Sequence, residues 1–379
     1  MMRKLTKLIV TGLAIVTMVV PLVGVSGHAT PVQAATTSSS NKTITIKDEA
    51  GDKVAVPKNI KRIAVVGALP LPAELAVFFN SADKIVGMPK ASMIAAKNGL
   101  LGELYPNILK AKTSFDQGTT VNTEELKKLD PDVVFYSAEN KVEKKQLLNA
   151  GFTAVGISFT KYNYDTIKTL NKQIALLSKI FPKNNKAKVV QKYSKKNYDL
   201  VQNRVKQIKP ADRQNIFFLF QYDKSMLATS SANFFGQYWS DSIGAVNVAH
   251  KLKHNNTTNV TMEQVYKWNP DKILITNFTK AQPKDLYNNT IGNYDWSKVK
   301  AVKNKQVYKM PLGSYRSYTP GVDTPLTLLW MAKTVYPKQF KDININKETK
   351  NYYKKVFNVN LTNAQVTKMF NPSSKASAY

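Results

Sequence analysis

The sequence predicts an α/β protein of two lobes, each a parallel-rich sheet flanked by helices, joined by a single long helix. Three observations lead there. Strand-like apolar runs alternate with helical patterns in both halves of the chain, which implies strands connected through crossover helices. A motif recurs: NTEELKKLDPDVVFYS (122–137) and NVTMEQVYKWNPDKILIT (259–276) align on Pro131 and Pro270, pairing Glu124 with Glu263, Leu126 with Val265, Leu129 with Trp268 and Asp132 with Asp271. Each copy reads as a short helix, a Pro-Asp break and a buried strand. Between the copies, KAKVVQKYSKKNYDLVQNRVKQI (186–208) sets Val190, Tyr193, Val201, Val205 and Ile208 at helical spacing, with Lys, Gln and Asn on the other face. At 1.5 Å per residue this is a rod of roughly 35 Å, ended by Lys209 and Pro210 and long enough to join two lobes.

Taken in order, residues 1–34 read as a secretory signal. Arg3, Lys4 and Lys7 precede an apolar run over 8–25, and Val32-Gln33-Ala34 offers a small-residue cleavage site. The alternative is an uncleaved anchor, since the run is about long enough to span a bilayer. Residues 35–43 form a Thr- and Ser-rich flexible leader. The N-terminal lobe, 44–165, opens with a hairpin over 44–56 around Asp48-Glu49-Ala50-Gly51-Asp52, followed by strands at 62–66, 84–87, 133–137 and 152–159 and a helix at 73–79. A helical connector covers 166–209. The C-terminal lobe, 210–337, repeats the alternation, with strands at 215–220, 227–229, 272–276 and 306–310 and helices at 234–243 and 325–336. Helical segments within 338–379 complete the chain.

The formal charge is +30, falling to +27 once Arg3, Lys4 and Lys7 are removed, and only five of the 55 basic residues are arginine. The bases are scattered, which describes a solvated basic surface whose acidic partner outside a cell is the anionic cell wall or the membrane surface. No reading module for nucleic acid accompanies them, so no nucleic-acid partner is expected. There is no Cys. Stability then rests on core burial, and a lipidated cysteine anchor is excluded. The expected location is exported, extracellular or at the cell surface, and not as a lipoprotein.

Enzymatic constellations are sparse. After the signal only His250 and His254 remain, and no H-E-x-x-H, G-x-S-x-G or G-x-x-x-x-G-K-[ST] occurs. The chain is therefore read as a non-enzyme with no cofactor of its own and no bare metal site, the two histidines being an exposed turn. If two lobes face each other, a ligand lies at the carboxyl ends of the parallel strands. Those loops supply Leu69, Met88 and Tyr136 from the first lobe, and Tyr222, Trp239, Tyr315, Arg316 and Tyr318 from the second. Aromatic rings with polar edges suit the organic shell of a chelate. Trp239, with Phe234 and Phe235, has the alternative of being the buried face of a helix. Arg316, set between Tyr315 and Tyr318 in a chain that otherwise uses lysine, is the candidate anion clamp, because its planar fork matches a carboxylate, phosphate or oxoanion. The alternative is a surface loop residue.

Several stretches also carry a family resemblance: Val56-Pro57 followed by Lys61-Arg62-Ile63; the 122–132 segment; Trp268-Asn269-Pro270-Asp271; and Tyr294-Asp295-Trp296 through Ala301 to Lys305, Val307-Tyr308 and Pro311. To these are added Leu328-Leu329-Trp330-Met331-Ala332 and Tyr336-Pro337. The chain resembles the helical-backbone substrate-binding proteins of ABC importers, the class that takes up ferric siderophores, haem, cobalamin, metal chelates or oxoanions. The tail, with Phe340, Tyr352-Tyr353 and Leu361, is similar to a branch that includes iron-complex and molybdate binders. The resemblance implies a receptor that carries a small-molecule metal chelate, first of all a ferric siderophore, to an ABC permease and its ATPase. Little hinge motion is implied, because one stiff helix joins the lobes. It places ligand contacts in the 313–319 loop and one acidic permease contact per lobe, from Glu139 or Glu143 and from Asp241. Competing implications are haem, with Met88, Met93 or His250 as axial ligands, and an oxoanion. A wall-associated interaction protein on the same fold is a further alternative.

Overall fold

The computed structural model describes residues 42–182 and 186–377; the segment read as a signal lies outside these residues. Strands β1 (Thr43–Lys47) and β2 (Lys53–Pro57) form an antiparallel hairpin. Four strands follow in the first lobe: β3 (Ile63–Val66), β4 (Ile85–Gly87), β5 (Val133–Ser137) and β6 (Ala154–Ile157). They make one parallel sheet in the order β4-β3-β5-β6. Every residue of β3 and β6 is buried, as are the first four of β5. That is the pattern expected of parallel strands covered on both faces, and it explains why they read as unbroken apolar runs.

The second lobe contains β7 (Asn215–Tyr222), β8 (Leu227–Ser230), β9 (Val246–Asn247), β10 (Thr257–Asn259), β11 (Lys272–Ile275) and β12 (Val307–Lys309). The order is β10-β8-β7-β11-β12, with β9 alongside the first residues of β7. The β7-β11-β12 core is parallel, whereas β8 and β10 are antiparallel additions. This sheet is therefore mixed. The turn at Asp223–Met226, where Asp223 Oδ1 accepts from Ser225 N at 2.8 Å and Met226 N at 2.9 Å, folds β8 directly back on β7 without a crossover helix.

The internal repeat is a structural one. Asn122 caps helix Thr123–Lys127 by accepting from the Glu124 and Glu125 amides, and Thr261 caps helix Met262–Trp268 by accepting from the Gln264 amide. The aligned Leu126 and Val265 are both fully buried. A left-handed residue precedes the Pro-Asp break in each copy, Asp130 three residues beyond the first helix and Asn269 as the cap of the second, both with φ of 41°. The aligned aspartates then do the same work. Asp132 Oδ2 accepts from the amides of Lys61 and Arg62 at 2.7 and 2.8 Å at the entry to β3. Asp271 Oδ2 accepts from the Asn215 amide at 2.8 Å at the entry to β7. Strand β5 is thus registered on β3 as β11 is on β7.

The connector predicted over 166–209 contains two helices, Thr166–Ile180 and Lys186–Val205, packed against each other. The second carries the bridging role. Its Val190 is in the core of the first lobe, and its Val201 and Val205 are in that of the second. Helix Thr324–Val335 packs along it, and Asn197 Nδ2 donates to the Pro325 carbonyl at 2.8 Å. Helices Ile345–Phe357 and Asn363–Phe370 return to the first lobe through Tyr352, Tyr353, Val356 and Met369. Among the described residues, no helix is long and apolar enough to cross a membrane.

Candidate functional site

The carboxyl ends of β7, β11 and β12 lead into the loops that hold Arg316. After β12 the chain makes a tight turn in which Leu312 and Arg316 pair as an antiparallel bridge. The turn is fastened to both lobes. Leu100 N, in the first lobe, donates to the Gly313 carbonyl at 2.9 Å, and Leu312 N donates to Met369 O at 2.9 Å. Asp323, buried at the start of helix Thr324–Val335, accepts from the Ser314 amide and hydroxyl, both at 2.7 Å, and from the Tyr353 hydroxyl at 2.9 Å. Residue 313 must be glycine. A Cβ there would stand 2.3 Å from the Tyr353 hydroxyl and 2.5 Å from Asp323 Oδ2.

Arg316 is 1% exposed. Its guanidinium lies 5.1 Å from the Phe278 ring centre and 5.6 Å from that of Tyr315, and Nη1 donates to the Tyr315 hydroxyl at 3.2 Å. Two rings therefore fix the plane of the fork. Phe278 is in turn stacked on Phe220, with centres 4.9 Å apart and 17° between planes, and Phe220 meets the edges of Phe234 and Tyr318. From the first lobe, Tyr164 reaches Phe234 and Phe235 at 5.5 and 5.3 Å.

A second cation lies behind the Phe278 loop. Lys309, 6% exposed, donates to the carbonyls of Thr276, Thr279 and Ala281 at 2.9, 2.6 and 2.9 Å. Burial brings its ammonium down to about 7, against the pull of Asp285 and with the push of Arg316. The three carbonyls favour the charged form, because a neutral amine has only two N–H groups to give them. Lys309 thus both shapes the loop and adds positive charge near Arg316. Asn277, beside Phe278, ties the end of β11 to that of β12 by donating to Met310 O and Pro311 O, each at 2.8 Å.

The structure brings together Arg316, Tyr315 and Tyr318 of the residues expected at the cleft. Leu69 and Met88 pack into the same apolar cluster as Tyr315; the Leu69 carbonyl accepts from Ser92 Oγ at 2.7 Å. Three others are held by core contacts, although Tyr222 also lines a cavity of about 410 Å³ together with Phe278. Tyr136 belongs to a cluster on the opposite face of the first sheet, with Phe115 and Leu147. Tyr222 is a core residue of the second lobe, its hydroxyl donating to Ile291 O at 2.9 Å and accepting from Trp296 Nε1 at 3.0 Å. Trp239 is fully buried on helix Phe235–Ser242, with Nε1 donating to the Tyr318 carbonyl at 2.8 Å, so it buttresses the Arg316 loop from inside. The helical-face alternative describes it.

The acidic residues expected to face a permease also divide. Asp241 is exposed, accepting from Gln237 Nε2 at 2.9 Å. Glu139 is exposed yet organises its own loop: Oε1 accepts from Ser158 Oγ at 2.6 Å, Phe159 N at 2.9 Å and Thr160 N at 3.0 Å. Glu143 is 1% exposed, lodged under Gly67, where a Cβ would come within 2.4 Å of its carboxylate. Burial, with Asp116 adding repulsion, pushes its carboxyl up to about 7. Its carboxylate faces the interior, where no permease reaches it. Of the haem ligands considered, Met88 is fully buried and His250 is exposed, with Nδ1 2.8 Å from the Asn247 carbonyl. No group of three or more His, Cys, Asp or Glu is placed to hold a metal among the described residues.

Phe278 lies in 277–278, one of the strand-end loops that the sequence sets at the cleft, though it is not among the contacts named there; Lys309 is not expected at all. Lys309 sits in an alternating strand where a lysine ordinarily reads as solvent-facing.

Comparison with known proteins agrees with this architecture. The molybdate-binding protein MolA of Haemophilus influenzae is 26% identical over 332 residues, covering 82% of this chain and 90% of its own length. The crystal structure of a periplasmic solute-binding protein from Veillonella parvula superposes with a TM-score of 0.77 at 29% identity, over 87% of this chain and 97% of that one. CeuE of Helicobacter pylori, solved with Ni(II) bound, gives a TM-score of 0.68 at 25% identity, over 86% and 99%. Residues 71–312 match the family described as periplasmic binding protein. With two lobes bridged by a helix and Leu100 of the first lobe bonded to Gly313 of the Arg316 turn, the chain belongs to the periplasmic binding protein family, as the solute-binding receptor of an ABC importer.

Proposed function

We propose that this receptor binds a small oxoanion of the molybdate class, with Arg316 as the group that grips it. The carrying observation is the buried guanidinium held against Phe278 and Tyr315 at the strand ends, with the Lys309 ammonium bonded to carbonyls of the same loop. Two buried cations raise the local potential, and low surrounding polarity strengthens their attraction for an anion. The molybdate-binding relative supports the same ligand class. A second reading, the ferric siderophore expected from the sequence, is favoured by the aromatic wall of Phe220, Phe234, Phe278 and Tyr318, which suits an organic shell.

Thermal-shift titration with molybdate, tungstate, sulfate, ferric siderophores and haemin separates the readings, because a ligand of the folded state raises the melting temperature by mass action. Stabilisation by molybdate or tungstate alone is expected. Arg316→Gln should weaken that binding by about tenfold to a hundredfold, as loss of a charge-assisted contact of about 1.5–3 kcal/mol requires. A response to siderophore and none to oxoanions would move the assignment to the second reading. Unchanged oxoanion affinity in Arg316→Gln would remove the clamp.

A further inference from the structure

The two connector helices carry a second feature unrelated to the cleft. Residues 166–205 contain ten Lys and Arg against one acidic residue, Asp199, a far steeper excess than the 55 to 25 of the whole chain. The lysines are in stripes. At 3.6 residues per turn, Lys168, Lys172 and Lys179 lie within about 40° of one another on the first helix, and Lys188, Lys192 and Lys195 within about 60° on the second. All six are exposed. Among the described residues, only Lys195 of these has a carboxylate within ion-pair distance, Asp199 at 2.7 Å. The other five have none within that distance among the described residues.

Between the helices runs a groove of about 460 Å³, lined by Lys168, Lys172, Asn171, Ile167 and Ala175 from the first helix, by its capping residue Asp165, by Gln191 and Tyr198 from the second helix, and by Tyr238. The Asn171 Oδ1 atom is buried and accepts no hydrogen bond among the described residues. Amide and phenol groups thus line the groove, with the Lys168 and Lys172 ammonium groups and the single Asp165 carboxylate at its edge; the second helix's stripe is not part of the lining.

We infer that this groove and its lysine stripes are a docking site for an extended polyanion built of phosphate-linked polyol units. Flexible lysines match charges that recur along a mobile chain, whereas a fixed planar anion would call for arginine. The polar floor offers hydrogen bonds to polyol hydroxyls. A bilayer fits less well, since peripheral insertion needs exposed apolar side chains. Leu109, Val142 and Leu148, exposed large apolar residues of the described chain, all lie on other elements. Tyr198 alone is on this face.

The test is binding of the purified protein to immobilised poly(glycerol phosphate). Lys168→Gln/Lys172→Gln/Lys188→Gln/Lys192→Gln should bind about tenfold more weakly and with a shallower salt dependence, while Lys58→Gln/Lys97→Gln/Lys141→Gln/Lys267→Gln, an equal loss of charge on other faces, changes affinity far less. Ala175→Phe fills the groove without altering charge and should also weaken binding. An unchanged melting temperature certifies each variant as folded. Equal losses in the two quadruple variants, equal binding of poly-glutamate, or tighter binding to vesicles of equal parts phosphatidylglycerol and phosphatidylcholine would each overturn the assignment.

Discussion

Glu74 is fully buried one turn into helix Leu71–Phe79, and neither carboxylate oxygen has a hydrogen-bond partner among the described residues. Burial, with repulsion from Glu49, pushes its carboxyl up to about 8. The group keeps its proton in the folded state up to that pH but loses it near 4.5 once unfolded, so folding between the two values takes up a proton. Stability therefore falls as pH rises across this window, by about 1.4 kcal/mol per pH unit at most from this one residue. Glu143, raised to about 7, adds to the trend below neutrality. Urea unfolding at pH 5, 6.5 and 8 should show this decline in the native protein and a flatter profile in Glu74→Gln. Parallel profiles would mean that the carboxyl is ionised where it sits. Such a residue is illegible in sequence, because a glutamate in the first turn of a helix is the ordinary complement to the helix dipole. Arg316 stands out for the opposite reason: in a lysine-rich chain, an arginine flanked by tyrosines departs from the background, and its burial excludes the surface-loop alternative. Tyr136 and Trp239 turn into cores instead, because strand-end or loop-adjacent positions say nothing about which way a ring turns.

At the scale of elements, Asp132 and Asp271 carry the clearest prediction. Each fixes the start of one strand on the start of its neighbour through backbone amides, and Asp271 also pairs with Lys300 at 2.5 Å. Replacing either by Ala leaves those amides without their acceptor and should cost about 1–3 kcal/mol, read as a lower denaturation midpoint. Asn, which keeps an acceptor oxygen, should recover part of the loss. No loss in either Ala variant would mean that water serves the amides equally well. The repeat was readable because both copies need the same chemistry, a capped helix, a left-handed residue and an amide-binding aspartate, and this leaves the same residue types in the same order. Strands β9 and β10 were not readable. They hold two and three residues, and their pairing to β7 and β8 comes from tertiary placement, with no period long enough to show. The antiparallel return at β8 was hidden likewise, since a buried apolar run reads the same in either direction.

For the whole molecule, the two lobes share structure as well as a linker. Helix Lys186–Val205 contributes Val190 to one core and Val201 and Val205 to the other, and Phe159, Ile345 and Phe370 pack against both clusters. An unfolding event in one lobe therefore strips apolar cover from the other, and a single cooperative thermal transition is expected despite the size of the chain. Asn197→Pro tests the coupling. Proline at this buried mid-helix site removes an intrahelical hydrogen bond, clashes with the preceding turn and deletes the bond to Pro325, a local cost of about 3 kcal/mol or more. With the helix broken between Val190 and Val201, calorimetry should resolve the single transition into two, the lobes melting separately. Two well-separated transitions in the native protein would instead make the helix a passive tether. The same stiffness bears on capture. A cleft bridged by an unbroken helix closes by small adjustments of the loops around Arg316 more readily than by wide rotation of the lobes, so ligand should leave the radius of gyration nearly unchanged in the native protein, while in Asn197→Pro it should compact a loosened pair of lobes.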